Sequence, residues 1–279
     1  MTSAPESPEI GERISANGIE TNVHIRRHPT SSDAVLLLHG SGPGVSAFAN
    51  WRLTIPELER HMTVVAPDIV GFGYTERPTD IAYNLETWTQ HALGVLDAAG
   101  VERAHVIGNS FGGSLALSLA TNYPQRVNRL VLMGAVGVPF DITEGLDAVW
   151  GYQPSVENML AIMNYFAYNK SLLGEDLARL RYEASVRPGV QEAFSAMFPE
   201  PRQAALDALC LPDEEIAGIV KPTLIVHGRD DQVIPTSTSM SLHQLIDDSQ
   251  LHIYGRCGHW TQIERSDEFA ALVCDFLTR

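Results

Sequence analysis

The sequence predicts an α/β protein: a mostly parallel, wound β-sheet with helices on both faces and a helical insertion. Three observations predict it. Short β-branched apolar runs alternate with helix-period runs along most of the 279 residues. Several of these runs are apolar on both faces, as the interior of a parallel sheet requires. The alternation then stops over residues 141–215, which carry helical patterns and no strand-like run.

The elements follow in chain order. Residues 12–28 read as strands without an intervening helix, hence an antiparallel edge. AVLLLHG (34–40), TVVAPD (63–68), AHVIGNS (104–110), RLVLMGA (129–135), TLIVHGR (223–229) and QLHIYGR (250–256) read as the other strands. Asn84 can cap a helix whose Leu85, Trp88, Ala92, Val95, Leu96 and Ala99 form one stripe, and Gly100 ends it. The helix after Ser110 stops near Pro124. The last helix repeats Phe269, Leu272, Val273, Phe276 and Leu277 on one face. The insertion holds NMLAIMNYFAYN, EDLARLRYEAS, VQEAFSAMF and RQAALDALC, punctuated by Pro188, Pro199 and Pro201. This organisation predicts a core of residues 1–140 and 216–279, with 141–215 as a cap. The cap would cover the C-terminal edge of the sheet, where ligands of open α/β sheets bind.

Composition narrows the function. Apolar residues are 44% and charged residues 19%, and a chain of this length buries a core without disulfide staples. The net charge of −15, from 19 basic and 34 acidic residues, argues against nucleic acid and anionic membranes as partners. An anionic substrate would need a local cation. Cys210, Cys257 and Cys274 are odd in number and lack paired spacing, which suggests neither a disulfide framework nor a zinc site. No metal is expected. The start MTSAPESPEIGERIS is polar and lacks the apolar core of a secretory signal. No apolar run approaches the roughly 20 residues of a membrane span. A cytoplasmic location is expected.

GNSFGG (108–113) joins the run AHVI to the run SLALSLA. Gly-x-Ser-x-Gly at a strand-to-helix join fits a nucleophile elbow. A sharp turn there lifts the Ser110 hydroxyl out of the sheet. Glycines at 108 and 112 remove Cβ atoms that would strike strand or helix, and Gly113 relaxes the packing further. The helix N-terminus adds N–H groups and a partial positive charge. A plain glycine-rich turn fits the motif alone equally well. A phosphate cradle fits less well, because its fingerprint is Gly-x-Gly-x-x-Gly.

A serine hydroxyl is a poor nucleophile without a base, and the base needs an orienting acid. In elbow enzymes the chain order is Ser, then Asp or Glu, then His. TLIVHG leads into RDDQVIP (229–235), and QLHIYG leads into RCGHW (256–260). An acid and a histidine thus follow two successive strands in the required order. Ser110 is read as nucleophile, His259 as base and Asp231 as the orienting acid. The Gly-x-x-Asp-x-x-x-Pro spacing favours Asp231 over Asp230, which becomes a solvated turn residue.

HGSGPG (39–44) follows AVLLL. Such a loop of small residues can aim backbone N–H groups at a developing oxyanion. The amide of Ser41 or Gly42, with that of Phe111, would form the hole. Losing one such donor costs about 100- to 1,000-fold in rate. A Gly/Pro turn closing the strand is the alternative. His39 is read as bracing the loop rather than transferring protons.

Together, elbow, acid and histidine resemble the α/β-hydrolase fold, which implies eight strands and a cap inserted before the last two. More narrowly, HGSGPGVSAFANW, GNSFGG, LRYEASVRPG, GRDDQVIP and GRCGHWTQIE are similar to the meta-cleavage product hydrolases of bacterial aromatic degradation. The likeness covers nearly the whole chain and looks closest to the 2-hydroxymuconate-semialdehyde hydrolases. It implies cleavage of a C–C bond in 2-hydroxy-6-oxohexa-2,4-dienoates to 2-hydroxypenta-2,4-dienoate and a carboxylic acid. It implies a homo-oligomer and no cofactor.

The resemblance also assigns substrate-binding residues. Arg181 on the cap matches the arginine that binds the carboxylate, with Arg187 in reserve. A cap ion pair with Asp176 or Glu183 is the alternative for Arg181. Asn50 and Asn109 match positions near the C1–C2 oxygens, where an amide both donates and accepts. Trp260 matches an aromatic beside the histidine. Loop capping would equally account for the asparagines, and core packing for Trp260. Phe140, Trp150, Met163 and Phe166 are candidates for the C6-substituent pocket, none assigned. A carboxylesterase, a thioesterase or a ligand-binding receptor could keep the same triad. Arg181 and the asparagines discriminate, because an ester substrate needs no dienoate head.

Overall fold

The computed structural model describes residues 7–279. Its strands are β1 (Glu12–Ala16), β2 (Ile19–Arg26), β3 (Ala34–Leu38), β4 (Thr63–Pro67), β5 (Ala104–Asn109), β6 (Val127–Met133), β7 (Thr223–Gly228) and β8 (Ser249–Tyr254). They form one sheet in the order β1-β2-β4-β3-β5-β6-β7-β8. β2 pairs antiparallel with β1 and β4, and all other pairs are parallel. The first two strands are therefore the antiparallel edge that their helix-free sequence predicts.

β3 shows why the central strands are apolar throughout. All five of its residues are buried. Leu36 and Leu38 join the core layer that holds Trp88, Leu115 and much of the insertion. Val35 and Leu37 join the opposite layer, with Trp51, Phe269 and Phe276. Period-two alternation puts successive side chains on opposite faces, and helices cover both. Asn84 caps the helix Leu85–Ala98 by accepting from the Thr87 amide at 2.9 Å. A cap of this kind is worth about 1 kcal/mol.

Between β6 and β7 run the helices Glu144–Trp150, Val156–Phe166, Glu175–Ser185, Val190–Met197, Arg202–Asp207 and Asp213–Ala217. The last of these packs on Phe111–Asn122 and Thr236–Leu245, which flank the sheet. The expected boundary at residue 215 falls inside that helix. The insertion rests directly on the loop after β3. A Cβ on Gly44, at φ 68°, would stand 2.6 Å from the Ser185 amide nitrogen. The Trp150 indole N–H donates to Ser41 Oγ at 2.9 Å. Among the described residues no helix is long and apolar enough to cross a membrane.

Candidate active site

Ser110 sits between β5 and the helix Phe111–Asn122 with φ 53° and ψ −117°. A non-glycine residue in this region costs about 1–3 kcal/mol and needs support from its surroundings. The support is local. The Ser110 amide donates to the Met133 carbonyl at 2.9 Å, and its carbonyl accepts from Gly113 at 2.8 Å and Val136 at 3.0 Å. The flanking glycines are there for space. A Cβ on Gly108 would lie 2.3 Å from the Gly112 carbonyl oxygen, and one on Gly112 would lie 2.3 Å from that of Leu38. Those contacts are with backbone, which cannot swing aside.

Asp231 lies just past β7 and is fully buried. One carboxylate oxygen accepts from the Val233 and Ile234 amides at 2.7 and 2.9 Å. The other accepts from His259 Nδ1 at 2.7 Å and lies 3.2 Å from His227 Nε2. Burial pushes this carboxyl up, but the two imidazoles and their hydrogen bonds outweigh it and hold it below the ordinary carboxylate range. Asp230 instead faces the Arg229 guanidinium at 3.3 Å. The histidine therefore meets Asp231 and not its neighbour. With Nδ1–H committed to Asp231, Nε2 keeps its lone pair and can act as a base.

Sequence reasoning expects a hydrogen bond from Ser110 to His259. Among the described residues no such bond forms. The two still adjoin the same strand end: the Ser110 amide is tied to Met133, and a Cβ on the next residue, Gly134, would lie 3.3 Å from both His259 Nδ1 and Asp231 Oδ2. In unliganded sites the nucleophile–base contact is commonly loose and tightens with substrate.

An oxyanion hole needs backbone amides that are not already spent on other acceptors. Among the described residues those of Ser41, Gly42 and Phe111 find no backbone or side-chain acceptor. The Phe111 ring is fully buried, edge-on to Trp88 at 4.7 Å, so only its N–H is left for the site. His39 braces this loop: Nδ1 donates to the Gly40 carbonyl at 2.7 Å, and Nε2 accepts from the Ile69 amide at 3.0 Å. Burial pushes the ring down to about 4, so it stays neutral near pH 7.

A cavity of about 330 Å³ lies over these groups. Ser41, Gly42, Asn50, Asn109, Arg181, His259 and Trp260 line it, whereas Ser110, Phe111 and Asp231 are not among its lining residues. The two inserted helices Glu144–Trp150 and Val156–Phe166 add Leu146, Val149, Met159, Ile162, Met163 and Phe166. Trp260 stacks on Phe166 with centroids 5.0 Å apart. Of the unassigned candidates, Met163 and Phe166 reach the cavity, while Phe140 and Trp150 do not line it.

Arg181 is paired with Glu9, and not with Asp176 or Glu183. Its Nη1 is buried and has no partner among the described residues, and the same holds for Asn50 Nδ2 and Gln262 Oε1. Arg187 points away. Its guanidinium lies over the Tyr74 ring at 3.7 Å and donates to the Gly73 carbonyl at 3.2 Å. Glu9, Arg52 and Gln262 also line the cavity, and sequence reasoning misses all three. Gln262 lies within the quoted GRCGHWTQIE without being singled out there, Glu9 and Arg52 lie outside the quoted motifs, and Glu9 is 172 residues from its partner.

Residues 33–266 match the family model described as the alpha/beta hydrolase fold. The 2-hydroxy-6-oxo-2,4-heptadienoate hydrolase of Pseudomonas putida strain F1 is 58% identical over 269 residues, covering 96% of each chain. The 2-hydroxymuconate semialdehyde hydrolase of Pseudomonas sp. strain CF600 is 53% identical, covering 99% of this chain and 97% of its own. The meta-cleavage product hydrolase of Pseudomonas fluorescens IP01, solved as a serine-to-alanine mutant complexed with acetates, superposes with a TM-score of 0.95. It is 55% identical, and the match covers 98% of this chain and 99% of that one. An elbow serine, an aspartate-bound imidazole and near-full-length identity above half point the same way: the chain belongs to the α/β-hydrolase fold family and, within it, to the meta-cleavage product hydrolases.

Proposed function

We propose that the chain hydrolyses the C5–C6 bond of 2-hydroxy-6-oxohexa-2,4-dienoates bearing hydrogen or a short alkyl group at C6. One observation carries the reading. Arg181 Nη1, Asn50 Nδ2 and Gln262 Oε1 are buried, without a partner among the described residues, and their residues line one cavity with His259. Unpaired buried polar groups are costly, so their presence argues for a ligand that satisfies them. A carboxylate accepts from the guanidinium, and a neighbouring 2-hydroxyl can accept from one amide and donate to the other. That is the head of a 2-hydroxydienoate. The apolar side chains of the two inserted helices suit the other end of the substrate. Segment 141–215 thus serves as a cap that supplies both the arginine and the apolar wall.

The chemistry follows from the groups present. Ketonisation moves the 2-hydroxyl proton to C5 and leaves a C2 ketone, with His259 Nε2 as the shuttle. Ser110, or a water activated by His259, then attacks the C6 carbonyl. The amides of Phe111 and of Ser41 or Gly42 hold the developing oxyanion. As the C5–C6 bond breaks, its electron pair flows through C3–C4 into the C2 carbonyl and yields the dienol. The overall reaction adds one water and releases 2-hydroxypenta-2,4-dienoate and a carboxylic acid.

The test is loss of the yellow dienoate absorbance with hydrogen, methyl, isopropyl or phenyl at C6. Turnover is expected with hydrogen or methyl, and Arg181→Gln should cut kcat/KM by about 10- to 100-fold, the worth of a charge-assisted hydrogen bond. Inertness to all four, with turnover of simple esters, would favour a carboxylesterase. The same reading places the enzyme in the cytoplasm as a homo-oligomer. Its three unpaired cysteines suit a reducing compartment, and size-exclusion chromatography tests the assembly.

A further inference from the structure

Arg181 belongs to the helix Glu175–Ser185 of the insertion, yet its partner comes from the start of the chain. Glu9 Oε1 takes Arg181 Nη2, and both side chains are close to nine-tenths buried. Glu9 is itself fixed from several sides. Its Oε2 accepts from Ser46 Oγ at 2.8 Å. Its carbonyl accepts from Asn22 Nδ2 at 2.9 Å and lies 3.2 Å from His24 Nε2. Ser46 in turn caps the helix Ala47–Trp51 by accepting from the Ala49 amide at 3.1 Å. That helix carries Asn50, whose Nδ2 has no partner among the described residues. One carboxylate therefore ties together the two elements that hold the cavity's unpaired donors.

We propose that Glu9 is a positioning residue for substrate binding. It holds one prong of the Arg181 fork so that the other, Nη1, faces the substrate carboxylate. It also fixes the separation of Nη1 from Asn50 Nδ2. The inference rests on the dienoate reading for the identity of the ligand. The physical argument has two parts. A buried guanidinium without a counter-charge is strongly unfavourable, so the fork would turn towards water if Glu9 were lost. A planar fork held at one end presents the other in a defined direction. Because Glu9 is anchored by groups other than Arg181, it stays in place when substrate arrives.

The test compares Glu9→Ala and Glu9→Gln with the 6-methyl dienoate and with p-nitrophenyl acetate, which has no carboxylate. Glutamine keeps an acceptor for Nη2 and a donor for Ser46. We expect Glu9→Ala to raise the dienoate KM by about 10-fold or more and to change kcat by less than about 3-fold, a loss of uniform binding. Ester turnover should hold, and Glu9→Gln, which keeps the acceptor but not the counter-charge, should recover only part of the dienoate KM. Three results overturn the proposal: an unchanged KM, a KM that falls because Glu9 competes for the fork, or equal losses on dienoate and ester. Inhibition of ester turnover by sorbate, a simple dienoate, separates the two readings. If the wild type ignores the 6-methyl dienoate, the C–C hydrolase reading fails. A weaker sorbate inhibition constant in Glu9→Ala would still support the positioning role, and an unchanged constant would refute it.

Discussion

At Asp231 one carboxylate accepts two backbone amides and the His259 N–H, with His227 alongside. That arrangement fixes which imidazole nitrogen carries the proton. Asp231→Asn keeps the shape but can turn the tautomer round, and kcat should fall by about 10⁴-fold. Stopped-flow turnover of the 6-methyl dienoate measures it, and a loss under tenfold would remove Asp231 from its orienting role. Ser110, Asp231 and His259 were legible because each follows an apolar run and each is a residue type that chemistry demands. Glu9, Arg52 and Gln262 were not. Gln262 lies inside a quoted motif, but its place on the cavity wall, like that of Glu9 and Arg52, depends on how distant segments pack. Arg181 shows the limit in another way: its cavity position was expected, but its partner lies outside its own helix.

Among the elements, the elbow is the most constrained by space. Gly108 brings β5, and Gly112 brings the end of β3, closer to the following helix than any Cβ allows. Gly112→Ala should therefore destabilise the fold by more than about 2 kcal/mol, as overpacking against backbone does. Urea denaturation reads this directly, and a change below 0.5 kcal/mol would contradict the close approach. In β3, Leu37→Ala should cost about 2–5 kcal/mol, since Leu37 is fully enclosed in the layer under the C-terminal helix. The strands and the insertion could be read from the sequence because apolar period and length are local signals. The junction near residue 215 could not, because the helix Asp213–Ala217 differs from those before it only in what it packs against.

For the whole molecule, the buried histidines set the response to acid. Burial pushes His39, His91 and His105 each down to about 4, from 6.5. Their depressed values favour the fold above pH 6.5, and that contribution is lost as pH falls towards 4. Asp68 acts in the opposite sense. Burial raises it to about 6 from 3.8, so its preference for the fold is present at low pH and lost as pH rises through 6. Three rings outweigh one carboxyl, each at about 1.4 kcal/mol per pH unit. Tm should therefore drop between pH 6.5 and 4, and calorimetry across that range checks it. A flat profile would mean these rings take up protons without cost.

The net charge of −15 gives the whole molecule a field that repels anions, so the dienoate must be captured by the few cations lining its own cavity. The most direct measurement is product stoichiometry with the 6-methyl dienoate. The wild type should release one acetate and one 2-hydroxypenta-2,4-dienoate per substrate consumed, and Ser110→Ala should release neither at a measurable rate. Loss of colour without acetate, or equal acetate release from Ser110→Ala, would contradict C–C cleavage at this site.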